Sequence, residues 1–414
     1  MARFSALLFL MAVTLGFLGS FDALGQEMTS NRMLGFAPAS RAAEARAEAV
    51  AVATPTPENA RTWLRTLTEE PHVAGTPADK KTAEFVRGKL ESWGWDVEMV
   101  EYEVLLNYPI GKAKLSILRP GEEELSVNEM PNDWDKDSAS PDAWPAFHGY
   151  GISGEATGQV VYANLGRVED FNALETMGID VKDKIVLVRY GGLFRGLKVL
   201  NAQKRGASGI LIYSDPIDDG YSKGDVYPNG PYRPESAIQR GSVQFLSLGP
   251  GDPSTPGWPS VKGAKRLPID PRNGFVTAHG SVYPYPIGID PSPLRSLTDS
   301  QQEQFRQKVQ QWEQTTDLKR DDYYATIPSL PISYEAARPI LERLAGPNVP
   351  DGWQGGLGFA YHVGPGPVEV KFSVAYDYKV RTIWNVMATL KGSAEPDRWV
   401  MLGNHRDAWT YGAV

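Results

Sequence analysis

Apolar residues recur along this chain with two different spacings, and the switch between them marks out its elements. Ser40 to Ala53 is rich in Ala, Glu and Arg and predicts a helix. Thr54-Pro55-Thr56-Pro57 breaks it, so 26–55 reads as a linker or stalk. Pro57-Glu58-Asn59 opens a second helix with Trp63, Leu64 and Leu67 on one face. Thr76-Pro77-Ala78-Asp79 is a helix start with proline at the first helical position. Ala83, Phe85, Val86, Leu90 and Trp93 follow at helical spacing, and Gly94 ends the run. From Asp96 to Leu106 the pattern changes to alternation, through Val97, Met99, Tyr102 and Val104, which predicts a strand.

From about 110 to 340 short β-like runs dominate. Val160-Val161-Tyr162, Lys184 to Tyr190 and Gly209 to Tyr213 read as strands, and Val199 to Gly206 as a helix between the last two. A strand, a helix and a strand in that order form a βαβ-like unit. Gln301 to Leu318 reads as a polar helix with Phe305, Val309 and Trp312 on one face, and Tyr334 to Ala345 as a helix ended by Gly346-Pro347. Val368 to Val374 and Val380 to Leu390 alternate and read as strands of a central sheet. They lead to Trp399-Val400-Met401-Leu402-Gly403, which reads as a buried strand entering a tight turn. On this reading the first and last parts of the chain form one domain, interrupted by an inserted middle.

Composition narrows the function. The 414 residues leave room for two or three domains, and the net charge of −8 argues against a nucleic-acid binder, which would show a basic patch or stripe. There is no cysteine, so disulfides, thiolate catalysis and Cys-based zinc sites are excluded. A transition metal would have to use His, Asp and Glu, and only five histidines exist: His72, His148, His279, His362 and His405. The N-terminus carries Arg3, an apolar stretch from Ser5 to Leu18, and Ala23-Leu24-Gly25 before Gln26. That predicts a secretory signal peptide over 1–25 and an exported protein, periplasmic, secreted or surface-attached. A membrane role follows only if the segment stays uncleaved as an anchor.

Candidate chemistry centres on Asn404-His405-Arg406-Asp407. A histidine just past a buried strand, with a carboxylate two residues on, suits a metal ligand and the group that orients it. The spacing alone equally allows a strand-end histidine bonded to backbone. The other four histidines sit in loop contexts and do not read as ligands, and Asp133, Asp135 and Asp137 read as a solvated loop.

Several longer strings resemble glutamate carboxypeptidase II and its relatives. Pro71-His72-Val73-Ala74-Gly75-Thr76 does so, as do Tyr102 to Leu106 and Tyr108-Pro109. So do Arg189 to Gly196, Lys198 to Ala202, Ile212 to Pro216, Gly251 to Gly257, Glu395 to Arg398 and Gly403 to Trp409. The resemblance spans about 57–414, with a departure near 272–323 that looks like an insertion.

This resemblance implies an α/β fold: a zinc-peptidase domain with a central mixed sheet, interrupted by a β-rich protease-associated (apical) domain. The expected bounds are 56–109 for the first peptidase segment, 110–345 for the apical domain and 346–414 for the second, truncated segment. A helical dimerisation domain would lie outside the chain, and a homodimer is implied only through it. The resemblance also implies two zinc ions. His405 matches one zinc ligand and Asp407 the residue that braces it, whereas the remaining ligands and the general-base glutamate would lie beyond Val414, leaving these residues inactive alone. Arg195 matches an arginine that grips a substrate carboxylate, a task suited to its planar fork, although a surface ion pair is the plainer reading. Ser242 stands where the carboxypeptidase has an asparagine that helps hold a terminal glutamate, which puts glutamate specificity in doubt. Thr255, by its side-chain oxygen, and Trp258, by its backbone carbonyl, match part of a calcium site, or else an ordinary Pro-Gly turn. The implied function is an exopeptidase for short peptides, at the amino or the carboxyl end. The alternative is a non-catalytic binding protein on the same scaffold, as in transferrin receptor; that reading gives no reason for a histidine at 405.

Overall fold

The computed structural model describes residues 33–133, 135–245 and 325–409 continuously, with isolated positions and short runs between 251 and 314. The expected signal peptide, His279, Trp258 and most of the helix expected over 301–318 lie outside the described residues. The chain divides into two units, 1–67 and 68–414. The first holds helices α1 (Arg41–Ala53) and α2 (Pro57–Leu67), separated by the predicted Pro-Thr-Pro break, and neither helix buries a side chain.

The second unit opens with α3 (Pro77–Ser92). Its cap is the one the sequence announced: Thr76 Oγ1 accepts from the Asp79 amide at 3.2 Å, and Gly94 follows the last turn at φ +84°. The next elements are β1 (Asp96–Pro109), β2 (Lys114–Arg119), β3 (Glu123–Glu124), β4 (His148–Gly149) and β5 (Gly154–Tyr162). Then come α4 (Val168–Thr176), β6 (Ile185–Arg189), α5 (Arg195–Gln203), β7 (Gly209–Tyr213), α6 (Pro216–Asp219) and β8 (Gly241–Ser242). Short strands β9 (Ile269–Asp270), β10 (Gly274–Val276) and β11 (Val282–Tyr283) form a small antiparallel sheet. The last elements are β12 (Ser329–Ile332), α7 (Tyr334–Glu342), β13 (Glu369–Val374) and β14 (Tyr376–Thr389).

The core is a mixed seven-stranded sheet in the order β12-β7-β6-β5-β13-β2-β3. Its first four strands are parallel and the rest antiparallel. Every residue of β6 and β7 is buried, which is why both read as unbroken apolar runs. The predicted βαβ unit is β6-α5-β7. Beside the sheet, β1 and β14 form a long antiparallel ribbon, paired from Asp96↔Thr389 to Pro109↔Tyr376, and α3 packs on it. Segments early and late in sequence are therefore adjacent in space.

Two expectations need correction. The strand expected over Val368 to Val374 does not share a sheet with the following one. As β13 it enters the large sheet between β5 and β2, where Val370, Phe372 and Val374 are buried; the chain then crosses to the ribbon at Ala375. Second, Trp399 to Gly403 is not a buried strand. It runs without regular structure, and Trp399, Val400, Met401 and Leu402 are 76–98% exposed. A β-like run becomes a strand only when a neighbouring backbone pairs with it, and among the described residues none does.

Candidate active site

Beyond that exposed run, the chain docks again at 404–409. The anchor is Arg406, whose guanidinium meets the Asp79 carboxylate at 2.6 Å and also bonds the Asp79 carbonyl and Thr82 Oγ1, both on α3. A further bond reaches the Trp384 carbonyl of β14 at 3.2 Å. Asp79 is buried and also accepts from the Gly75 amide at 2.9 Å. Burial raises its pKa above the ordinary carboxylate value, and this outweighs the opposing pull of the Gly75 amide and Arg406.

His405 sits on the anchored turn with its ring largely exposed. Its Nδ1 lies 3.1 Å from the Asp407 carbonyl oxygen and 3.7 Å from the Asp407 carboxylate. Both neighbours accept only, so Nδ1 carries the hydrogen, and Nε2 keeps a lone pair that nothing engages among the described residues. That tautomer suits a zinc ligand bound through Nε2, so the donor chemistry at His405 fits zinc. The bracing by Asp407 is more through its backbone carbonyl than through its side chain. Among the described residues, no three His, Asp or Glu side chains are gathered as a metal site.

Arg195 and Ser242 are brought together. Arg195 opens α5, and its Nε donates to the Ser242 carbonyl at 3.0 Å. The guanidinium lies 5.2 Å from the Phe194 ring centre and 6.0 Å from that of Tyr190. It occupies the space a side chain at Gly241 would fill, and Gly241 has φ +147°. No ion pair forms at Arg195 among the described residues, so the surface-pair reading is not what the structure shows, and the Nη edge stays open. Ser242 contributes its backbone; its hydroxyl accepts from the Gln244 amide at 2.9 Å.

Sequence reasoning missed two buried groups beneath Arg195. His148, on β4 beside β8, is fully buried. Its Nδ1 lies 2.9 Å from Ser329 Oγ and its Nε2 3.4 Å from the Tyr190 hydroxyl, which itself donates to the Gln239 carbonyl at 2.6 Å. Tyr190 therefore accepts from Nε2–H. Burial, reinforced by Arg195, pushes the His148 pKa down to about 3, so the ring is neutral. Lys198, also fully buried, donates to the Leu165 and Gly191 carbonyls and so ties down the loop before Arg195. Burial lowers its pKa to about 7. A lone His beside Gly and a Lys in a helix carry no spacing signal for either role.

The two halves of the site meet at β4. Gly149 pairs with Ser242, and a Cβ on Gly149 would sit 2.6 Å from Cη2 of Trp409. The Trp409 ring also packs at 5.1 Å on Phe147. The turn bearing His405 thus ends against the strand that underlies Arg195.

The remaining candidates make no hydrogen bond or ion pair with Arg195 or His405 among the described residues, although His72 touches the turn that bears His405. Thr255 is fully buried; its Oγ1 accepts from the Asp252 amide at 3.0 Å and lies 2.7 Å from Ser260 Oγ. The adjacent Asp252 carboxylate pairs with Arg266 at 2.7 Å and bonds Ser254 and the Leu105 amide. These partners hold the loop together. His72 is buried with a carbonyl oxygen near each ring nitrogen, His362 is half-buried with Nδ1 3.0 Å from the Gly346 carbonyl, and Asp135 caps the turn at Asp137.

Residues 156–246, which include Arg195, Lys198 and Ser242, match the PA domain family. The chain is 35% identical over 370 residues to a glutamate carboxypeptidase 2 homolog of Caenorhabditis briggsae, covering 86% of this chain and 42% of that protein. It is 34% identical over 352 residues to a probable glutamate carboxypeptidase of Zea mays, covering 85% and 40%. It is 34% identical over 369 residues to a mouse aminopeptidase, NAALADL1, covering 85% and 43%. A solved peptidase M28 precursor from Shewanella amazonensis aligns over 84% of this chain and 54% of its own, at 17% identity and a TM-score of 0.37. The chain therefore spans about two fifths of the length of the curated relatives it matches. Over some 85% of its residues the chain is similar to glutamate carboxypeptidase 2 homologs, and residues 156–246 match the PA domain family.

Proposed function

We propose that the protein is an exported, zinc-dependent exopeptidase acting on short peptides. The observation that carries this reading is the His405 ring: Nδ1–H is held by Asp407, Nε2 is open, and the turn is anchored on α3 by the Arg406–Asp79 pair. The similarity to glutamate carboxypeptidases and to an aminopeptidase supports it.

When bound, zinc supplies Lewis acidity toward the scissile carbonyl and makes a water more acidic. His405 would hold one such ion through Nε2, while Asp407 keeps the proton on Nδ1. Arg195 would take the substrate carboxylate on its free Nη edge, in a forked, charge-assisted pair. Its Nε stays on Ser242 and its face on Phe194 and Tyr190, so the fork is already oriented before substrate arrives. The neutral His148 adds no second positive charge beneath it. A carboxylate grip favours peptides with a free C-terminus. Ser242 presents a backbone carbonyl at this point and not a side-chain amide, so a preference for terminal glutamate is not part of the proposal. Calcium at Thr255 and Trp258 and a homodimer rest on the family resemblance alone.

Replacing His405 with Ala tests the reading. The expected result is loss of bound zinc and of peptide hydrolysis, with the melting temperature nearly unchanged because the ring is exposed. Hydrolysis and zinc content unchanged by the substitution would remove His405 from the metal site, and a wild-type protein that neither binds zinc nor hydrolyses peptide would leave the non-catalytic scaffold as the better description.

A further inference from the structure

His72 reads as a bland loop histidine in the sequence, yet it touches the His405 turn at two points. The ring is buried, with Nδ1 2.9 Å from the Glu70 carbonyl and Nε2 3.0 Å from the Arg406 carbonyl. The His72 backbone carbonyl accepts from the Ala408 amide at 3.2 Å. These two contacts hold the two peptide units that flank Asp407. The first unit contains the Arg406 carbonyl and the second contains the Ala408 amide.

The second unit is the important one. A peptide group is planar, so its N–H and its C=O point in fixed, opposite directions. The C=O of the Asp407–Ala408 unit is the oxygen that accepts from His405 Nδ1. The N–H of the same unit donates to the His72 backbone carbonyl, and the His72 ring meets the turn one peptide earlier, at the Arg406 carbonyl. Fixing one end of that plane aims the other. The 399–403 run before the turn is exposed and unpaired, so it does not set this orientation.

We propose that His72 is a positioning residue: its ring, seated on the Arg406 carbonyl, keeps its backbone carbonyl on the Ala408 amide and so orients the Asp407–Ala408 peptide, with the His405 proton on Nδ1 and Nε2 offered to the metal. This rests on the zinc-peptidase reading of His405. Both carbonyls only accept, so a neutral ring donates to one of them, and the proposal takes Nε2–H as the donor to the Arg406 carbonyl.

The test uses the intact protein and three substitutions. His72→Phe keeps the ring's bulk and removes its bond to Arg406. His72→Gln keeps one amide donor. His362→Gln is the control, since that half-buried ring bonds the Gly346 carbonyl and not the His405 turn. Nitrogen NMR of labelled histidine, on metal-free protein at alkaline pH, reads the His405 tautomer directly. The expected result is an Nδ1–H form in wild type and His362→Gln, a mixture in His72→Phe, and recovery of the Nδ1–H form in His72→Gln. Zinc affinity should fall about 10–100-fold in His72→Phe, as when a group supporting a metal ligand is removed, and kcat should fall with it at unchanged KM. If His72→Phe does not fold, His72→Gln is compared with wild type in the exchange rate of the Ala408 amide. Protection equal to wild type with the tautomer retained supports the role, and the tautomer retained with Ala408 unprotected overturns it. An unchanged tautomer and unchanged zinc affinity in folded His72→Phe also overturn it. His405→Ala separates the two ideas: if that variant still binds zinc and hydrolyses peptide, the reading of His405 fails, while the tautomer measurement decides the role of His72 independently.

Discussion

Strands β6 and β7 and the run Trp399 to Leu402 look alike in sequence, short and strongly apolar, but end in opposite environments. Every residue of β6 and β7 is buried, flanked by β5 and β12 and covered by helices such as α5. The 399–402 run is almost wholly exposed and pairs with no strand among the described residues. Hydrophobicity is a capacity for burial, and a partner surface decides whether it is used. The run is held from its far end, by Arg406 on Asp79 and by Trp409 against Gly149 and Phe147, and not by its own side chains.

If that contrast is right, the anchor matters more than the apolar residues it restrains. Asp79→Ala leaves the Arg406 guanidinium without its buried carboxylate and should cost about 3–5 kcal/mol, read by chemical denaturation. It should also lower zinc affinity. A loss below 1 kcal/mol would mean that the turn is held by its backbone contacts alone.

Within the sheet, Leu211→Ala in β7 removes a fully buried side chain and should cost about 2–5 kcal/mol in the same assay. A small effect there would erase the difference between the two regions.

Charge sharpens the contrast further. Lys198 titrates at about 7 in the folded chain against an ordinary 10.5, so between those values the unfolded chain binds more protons. Stability should therefore rise as pH increases from about 7 toward 10, by roughly 2 kcal/mol over the lower part of that window. Lys198→Met should flatten the rise, as followed by melting temperature against pH; an equal slope in both proteins would refute the assignment.

The smallest effect belongs to the exposed run. Leu402→Ala should change stability by less than about 0.5 kcal/mol.

Much of the site was legible in the residues, for reasons that differ from one to the next. The α3 cap was readable because Thr, Pro and Asp act within four residues of one another, and local bonds depend only on local sequence. The βαβ unit was readable because parallel buried strands need continuous apolar runs. Arg195 and Ser242 were singled out through family likeness, and the structure joins them by one hydrogen bond. His72 and His148 were set aside because a single histidine has no pattern; their roles come from carbonyls and hydroxyls as far as 334 residues away.

Sequence alone settled what is periodic or local: helices α1, α2, α3, α5 and α7 in outline, the cap of α3, the apolar strands β6 and β7, the absence of cysteine, and the stretch bearing His405. Tertiary structure decided which runs found partners. It took β13 into the large sheet, left 399–402 in solvent, set a buried lysine and a neutral histidine beneath Arg195, and turned His72 toward the Asp407 peptide units. The reason is physical: periodicity records a side chain's preference for burial, while pairing, desolvation and hydrogen-bond direction depend on neighbours that sequence distance does not reveal.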